Sequence, residues 1–277
     1  MRIVLTGAAG ALGRELRPAL AELAEEVVLT DIAEVADLAA HETFVRADLA
    51  DMQAVTGICE GADMVVHFGA SADEAPWETI LSANIVGTYN VYEAAHRAGA
   101  RRVVYASSIH AVGMYPKTVT LDGTEPHRPD TFYGLSKCFA EDLARMYWEK
   151  RGLESVCLRI YSCNPRPANP RSVGSWLSYD DLRRLVTRSI DTPVVGFTVA
   201  WGISDNDRAP VSNARAGHLG YRPEDNAEDH AAGLLPAYPD PQDPMHACHG
   251  GPFAIVPLGE SGVEMIARMD EEAKKGG

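Results

Sequence analysis

The feature that most constrains this chain is its N-terminal stretch, where the apolar run Ile3-Val4-Leu5 leads directly into Thr6-Gly7-Ala8-Ala9-Gly10-Ala11-Leu12-Gly13. Glycines spaced three apart between a strand and a helix leave backbone amides uncovered at the helix N-terminus, and such a turn is a cradle for phosphate. The following residues place Leu12, Leu16, Leu20 and Leu23 on one helical face. Strand, turn and helix therefore read as the first βαβ step of an open sheet.

The rhythm continues downstream. Residues 26–30, 43–46, 64–68, 102–106 and 155–160 are apolar or β-branched runs, the pattern of strands covered on both faces of a parallel sheet. Candidate helices lie between them at about 51–59, 76–99 and 130–151. The predicted fold class is α/β: a doubly wound parallel sheet (Rossmann) with a small C-terminal substrate-binding portion. The rhythm breaks at Asn164-Pro165-Arg166-Pro167-Ala168-Asn169-Pro170, which continues neither a strand nor a helix. The expected division is a dinucleotide-binding domain over 1–163 and a substrate-binding portion over 164–277, packed together as one globular unit. Beyond the break, the sequence predicts a helix near 178–189, a strand near 194–200, a helix after Pro223, a proline-rich stretch from Pro236 to Pro244 and a fraying charged tail from Met269 to Gly277.

Composition removes several function classes. A net charge of −14 over 277 residues, with no basic stripe, argues against nucleic acid. No apolar run approaches the roughly 18 residues needed to cross a bilayer, so no membrane partner is expected. Met1-Arg2-Ile3-Val4 enters a strand at once and leaves no room for a signal peptide. Cys59, Cys138, Cys157, Cys163 and Cys248 are odd in number and scattered, which suits reduced thiols and a cytoplasmic location. Met245-His246-Ala247-Cys248-His249 holds three candidate metal ligands, but no second cluster completes a tetrahedral site, so no metal is expected.

The second informative motif is Tyr133-Gly134-Leu135-Ser136-Lys137. It sets a phenol and an ammonium four residues apart on one helix face, where the cation favours tyrosinate and so makes a proton acceptor. Asp31 ends the second strand, 18 residues after Gly13. There a carboxylate accepts from ribose hydroxyls and repels a 2′-phosphate, and neighbouring Ile32 and Ala33 supply no arginine, which favours NAD over NADP. Asp48 in Ala47-Asp48-Leu49 either meets the adenine or simply caps a helix.

The Gly-x-x-Gly-x-x-Gly spacing, Asp31, the strand-end serines Ser107 and Ser108, and Tyr133-x-x-x-Lys137 resemble the extended short-chain dehydrogenase/reductase (NAD-dependent epimerase/dehydratase) family over about 1–165. The similarity is closer to uronate dehydrogenases through Tyr105-Ala106-Ser107-Ser108-Ile109-His110, Tyr133 to Phe139, Ser175-Trp176-Leu177-Ser178, Trp201-Gly202 and Pro223 to Glu228. The resemblance implies an oxidoreductase that converts the anomeric carbon of a hexuronic acid to an aldarolactone with NAD. It implies catalytic Tyr133, Lys137 and Ser108, and a cofactor site of Gly7, Gly10, Ala11, Leu12, Gly13, Asp31, Ile32, Asp48, Leu49, Phe68, Gly69, Ala70, Asn84, Tyr133 and Lys137. The substrate would meet Ser71, Ser108, Ile109, His110, Tyr133, Ser162 and Arg171, with Arg171 gripping the uronate carboxylate.

Each assignment has a structural alternative: Arg171 as a solvated loop arginine, His110 as a satisfied buried histidine, Asn84 as a residue that only bonds backbone. Ile109 departs from the resembled pattern, which has asparagine between serine and histidine; either a substrate contact is missing, or Ile109 packs into the sheet and the contact there comes from backbone. Competing readings are another sugar dehydrogenase, an epimerase or dehydratase on the same fold, and an NAD-binding regulator that would need neither Tyr133 nor Lys137. The partners expected are a small sugar acid and, through a helix pair around 76–99 and 130–151, a second copy of the chain in a homo-oligomer.

Overall fold

A computed structural model describes residues 1–234, 242 and 244–276. The chain opens with β1 (Arg2–Thr6), α1 (Ala11–Leu23), β2 (Glu26–Asp31), β3 (Glu42–Arg46), α2 (Met52–Cys59) and β4 (Met64–His67). It continues through α3 (Trp77–Thr79), a π-helical turn (Ile80–Val86) and α4 (Gly87–Arg97), then β5 (Arg102–Ser108), α5 (Phe132–Arg151) and β6 (Glu154–Ile160). The remainder comprises β7 (Ser162–Cys163), α6 (Ser172–Ser175), β8 (Trp176–Leu177), α7 (Tyr179–Asp191), β9 (Phe197–Gly202), α8 (Pro244–Ala247) and α9 (Gly262–Gly276), with short 3₁₀ turns between.

The main sheet is parallel throughout in the order β3-β2-β1-β4-β5-β6-β9, and β7 pairs with β8 in a small second sheet. Strand residues alternate between two apolar layers because successive side chains point to opposite faces. Ile3, Leu5, Val27 and Leu29 pack with Leu16 and Leu20 of α1 and with Leu182, Leu185 and Ile190 of α7. Val4, Val28, Val65 and Val103 face α2, α4 and α5 through Val55, Val91, Ala140 and Ala144. Both faces are thus covered, and the strand order reverses between β1 and β4, where a doubly wound sheet opens a crevice at its carboxyl edge.

Two long side chains are buried in the sheet with partners. Arg102 Nε donates to Glu154 at 3.0 Å, and Arg102 Nη1 donates to the carbonyls of Ser189 and Ile190. Arg159 forks onto Glu141 at 3.0 and 2.7 Å.

Four expectations change. The strand expected near 194–200 runs from Phe197 to Gly202, because Pro193 and the left-handed Gly196 (φ 55°) hold the preceding residues in a turn. The helix expected after Pro223 is only a 3₁₀ turn, Ala227–His230. The amides of Glu224 and Asp225 donate to the buried Asp181 carboxylate rather than to a helix. The helix expected over 76–99 runs without interruption from Trp77 to Arg97 but is wound as a π-helix over Ile80–Val86. The tail expected to fray from Met269 is helical to Gly276, in a helix whose first turn is held by Asp73 and Ser261. Pro236 to Pro244 falls mostly outside the described residues. The last strand of the main sheet, β9, comes from beyond the break at Asn164.

Candidate active site

The carboxyl edge of the sheet carries a cavity of about 1160 Å³, larger than a typical pocket for one small ligand and long enough to reach from β2 to α9. One end is the glycine turn. A Cβ on Gly13 would stand 2.1 Å from the Gly7 carbonyl, so only glycine lets α1 begin this close to the turn. Thr6 supports the same turn from below: its hydroxyl accepts from Gly69 N at 3.0 Å and meets His67 Nδ1 at 2.7 Å. His67 is fully buried, and burial, reinforced by the charge of Lys137, pushes its imidazole down to about 3, so it stays neutral.

The Asp31 carboxylate accepts from Ala9 N and Ala33 N, each at 3.0 Å, and is thereby fixed at the lip of the cavity. Gly7, Gly10, Ala11, Leu12, Gly13, Ile32, Asp48, Leu49, Phe68, Gly69 and Ala70 line the same end. Asp48 also caps locally, accepting from Ala50 N at 2.9 Å. The amides at the start of α1, an apolar slot and the accepting Asp31 carboxylate are the groups that a dinucleotide requires.

At the centre, β5 ends at Ser108 and α5 begins at the Thr131 cap, whose hydroxyl accepts from Gly134 N at 3.0 Å. Tyr133 and Lys137 project from the first turns of α5 into the cavity opposite Ser108. Burial pushes the Tyr133 phenol up to about 12, and a hydrogen bond from Ser108 draws it back down. Lys137 Nζ donates to Ala106 O at 2.8 Å and lies 5.1 Å from the Tyr133 ring centre. Burial lowers its ammonium to about 7, while Glu141 one turn further along the helix pulls the other way.

On the substrate side, Ser71, His110, Ser162 and Arg171 line the cavity with Ser108 and Tyr133. His110 Nδ1 is 2.7 Å from the buried Asp130 carboxylate, and its ring stacks on Phe253 at 4.2 Å and 27°. Arg171 Nη2 donates to His249 O at 3.0 Å.

Two predicted site residues do not reach the cavity. Ile109 is 1% exposed and packs with Val112, Leu121, Trp201, Ile203 and Val211. Its side chain is core, because the 3₁₀ turn after Ser108 points it away from the cavity. Asn84 is not a cofactor contact. Its amide bonds both backbone groups of Ser71, at 2.8 and 3.0 Å, and reaches Ser136 Oγ at 3.1 Å, bracing the Ser71 loop against α5. Sequence reasoning missed Tyr161, Asn164, Phe253, Val263 and Ile266, which complete the wall. Tyr161 and Asn164 lie beside Ser162 just after β6, whereas Phe253, Val263 and Ile266 carry no local motif and reach the site only through chain return.

A sequence profile of the NAD dependent epimerase/dehydratase family matches residues 3–171. The chain belongs to that family. Among its members, the chain is 45% identical to a uronate dehydrogenase of Pseudomonas putida over 257 residues, 92% of this chain and 96% of the relative. Two solved structures superpose closely. A mutated uronate dehydrogenase gives a TM-score of 0.91 at 41% identity, covering 98% of each chain. A uronate dehydrogenase from Agrobacterium tumefaciens, a tyrosine-to-alanine variant in complex with NAD, gives 0.88 at 44% identity over 92% of this chain and 97% of that one. The family match ends at Arg171, so the wall that carries Phe253, Val263 and Ile266 lies beyond it.

Proposed function

We propose that this protein oxidises the C1 hydroxyl of a hexuronic acid such as glucuronate or galacturonate to an aldarolactone, with NAD as hydride acceptor. The observation that carries this reading is the placement of Ser108, Tyr133 and Lys137 in one cavity with Arg171, in a chain 45% identical to a uronate dehydrogenase.

The amides that open α1 at Ala11 and Leu12 would hold the pyrophosphate, and Asp31 the adenosine ribose, with Ile32 and Leu49 flanking the base. When bound, NAD supplies an electrophilic carbon for the hydride and a positive ring charge. The chain's own residues move the proton. Tyr133 Oη, as tyrosinate, accepts the proton of the C1 hydroxyl, and the C1–H bond breaks as hydride leaves, so C1 becomes the lactone carbonyl. Ser108 donates to the reacting oxygen and holds it near the phenol. At about 12 the buried phenol is protonated in the protein alone, with the Ser108 hydrogen bond pulling it down; a charged Lys137, 5.1 Å from the ring centre, would favour the tyrosinate further. Arg171 takes the carboxylate in a charge-assisted pair, and His110, oriented by Asp130, meets a ring hydroxyl.

Three coarser features extend the reading. The first 163 residues act as the dinucleotide-binding part and the rest as the substrate-binding portion. The chain works as a homo-oligomer through the helices of 77–97 and 132–151, which expose Trp77, Leu81, Tyr89, Leu135 and Met146; sedimentation velocity reads this directly. Five free cysteines, and the lack among the described residues of any helix long and apolar enough to cross a membrane, support a cytoplasmic location.

The test is a panel of uronates and neutral aldoses followed by NADH absorbance, with NAD and NADP in parallel. Turnover of uronates and a preference for NAD of at least about tenfold, roughly 1.4 kcal/mol, are expected. No turnover of any uronate, or equal use of the two cofactors, overturns the reading.

A further inference from the structure

We infer that His249 and Gly251 are positioning residues for Arg171, fixing its guanidinium in the orientation that meets a carboxylate, so that specificity for an acid is written in a segment far from the family motifs. The inference rests on the role proposed above for Arg171.

The segment is held first by backbone. Residues 247–250 run back along 113–117: Lys117 N donates to Ala247 O at 2.7 Å, His249 N to Tyr115 O at 2.9 Å, and Gly250 N to Gly113 O at 2.8 Å. The His249 side chain, 1% exposed, is then pinned at both ring nitrogens. Nε2 lies 2.9 Å from the Val119 carbonyl, which can only accept, so Nε2 carries the hydrogen. Nδ1 is therefore the acceptor for the Tyr161 hydroxyl at 2.6 Å. Burial, with Lys117 and Arg171 nearby, holds this imidazole below its usual range and keeps it neutral.

With ring and backbone both fixed, the His249 carbonyl is a stationary acceptor, and Arg171 Nη2 donates to it at 3.0 Å. Gly251 completes the seat. It adopts φ +61°, and a Cβ there would lie 2.4 Å from Arg171 Nε and 2.8 Å from Cζ, so the guanidinium rests directly on the Gly251 backbone. An arginine side chain has many rotamers to lose when it is held in one orientation. Ordering it before substrate arrives keeps that cost out of the binding step, so the effect of the seat is on affinity for the acid and not on the hydride step.

The experiment is a mutant cycle on glucuronate oxidation. Gly251→Ala pushes the guanidinium off its seat and should raise KM about tenfold with kcat within about threefold of wild type. Tyr161→Phe keeps the ring in the cavity wall, removes the hydroxyl that anchors His249 and should raise KM about threefold, an effect that must vanish without Arg171 if it acts through His249; it carries the test if thermal melts show Gly251→Ala to be misfolded. In an Arg171→Ala background both changes should add less than about twofold, since what they position is gone. KM unchanged in both single variants, a loss that falls on kcat, or full effects repeated in the Arg171→Ala background overturn the inference. If Arg171→Ala alone leaves KM for glucuronate unchanged in an active enzyme, the carboxylate is held elsewhere; that outcome overturns the proposed role of Arg171 itself and is distinct from the others.

Discussion

The two ends of the cavity are built on different principles. The cofactor end is local: the glycine turn, Asp31 and the Phe68-Gly69-Ala70 loop each follow a strand of the sheet directly, and backbone geometry does most of the work. The substrate end is assembled from distant segments. Arg171 sits on Gly251 and His249, and His110 is wedged between Asp130 and Phe253. A backbone site tolerates sequence drift as long as the turn survives, whereas a side-chain site made by chain return can be retuned by single substitutions.

That contrast can be broken or sharpened experimentally. The largest effect is expected at the centre, where the ends meet: Tyr133→Phe keeps the ring and removes the proton acceptor. Its kcat should fall by about 10²-fold or more while NAD affinity, read by fluorescence titration, is retained. Near-normal turnover would move the base to another residue.

Arg171→Ala should act only at the substrate end, costing about 1.5–3 kcal/mol in kcat/KM for a uronate and much less for a neutral aldose. Equal losses on both would make Arg171 structural and erase the division of labour.

Ile109→Asn tests the wall's underside. Burying an amide in the cluster of Val112, Leu121 and Trp201 should cost about 1–3 kcal/mol of stability in denaturant titrations and leave KM unchanged. A lower KM would return Ile109 to the substrate.

Lys137 gives the smallest predicted change and the one with a pH signature. Its ammonium is lowered to about 7 by burial, against about 10.4 unfolded. Between those values the unfolded chain binds more protons, so through this group stability rises with pH from about 7 to 10. Lys137→Met removes the buried charge. It should raise Tm by a few degrees near pH 7 and lose the alkaline rise. A lower Tm at pH 7 would show that Lys137 stabilises the fold.

The sequence by itself determined the parallel sheet, the glycine cradle, Asp31 and the pairing of Tyr133 with Lys137. These depend on spacings of three, four or two residues within single elements, where helix and strand periodicity convert sequence directly into geometry. His110, Ser71, Ser162 and Arg171 were legible only through family resemblance, and the structure gathers them at one cavity. Tertiary structure alone decided the rest. Ile109 sits beside Ser108 in sequence yet faces the core, because a 3₁₀ turn rotates it away; Asn84 turns to the Ser71 backbone and Ser136 Oγ. Phe253, Val263 and Ile266 reach the cavity from more than a hundred residues beyond Tyr133. Their position follows from backbone bonds such as Gly250 N to Gly113 O and from Asp73 at the start of α9. Contacts so far apart leave no periodic trace in the chain, since what places them is the closure of the fold and not the propensity of any segment.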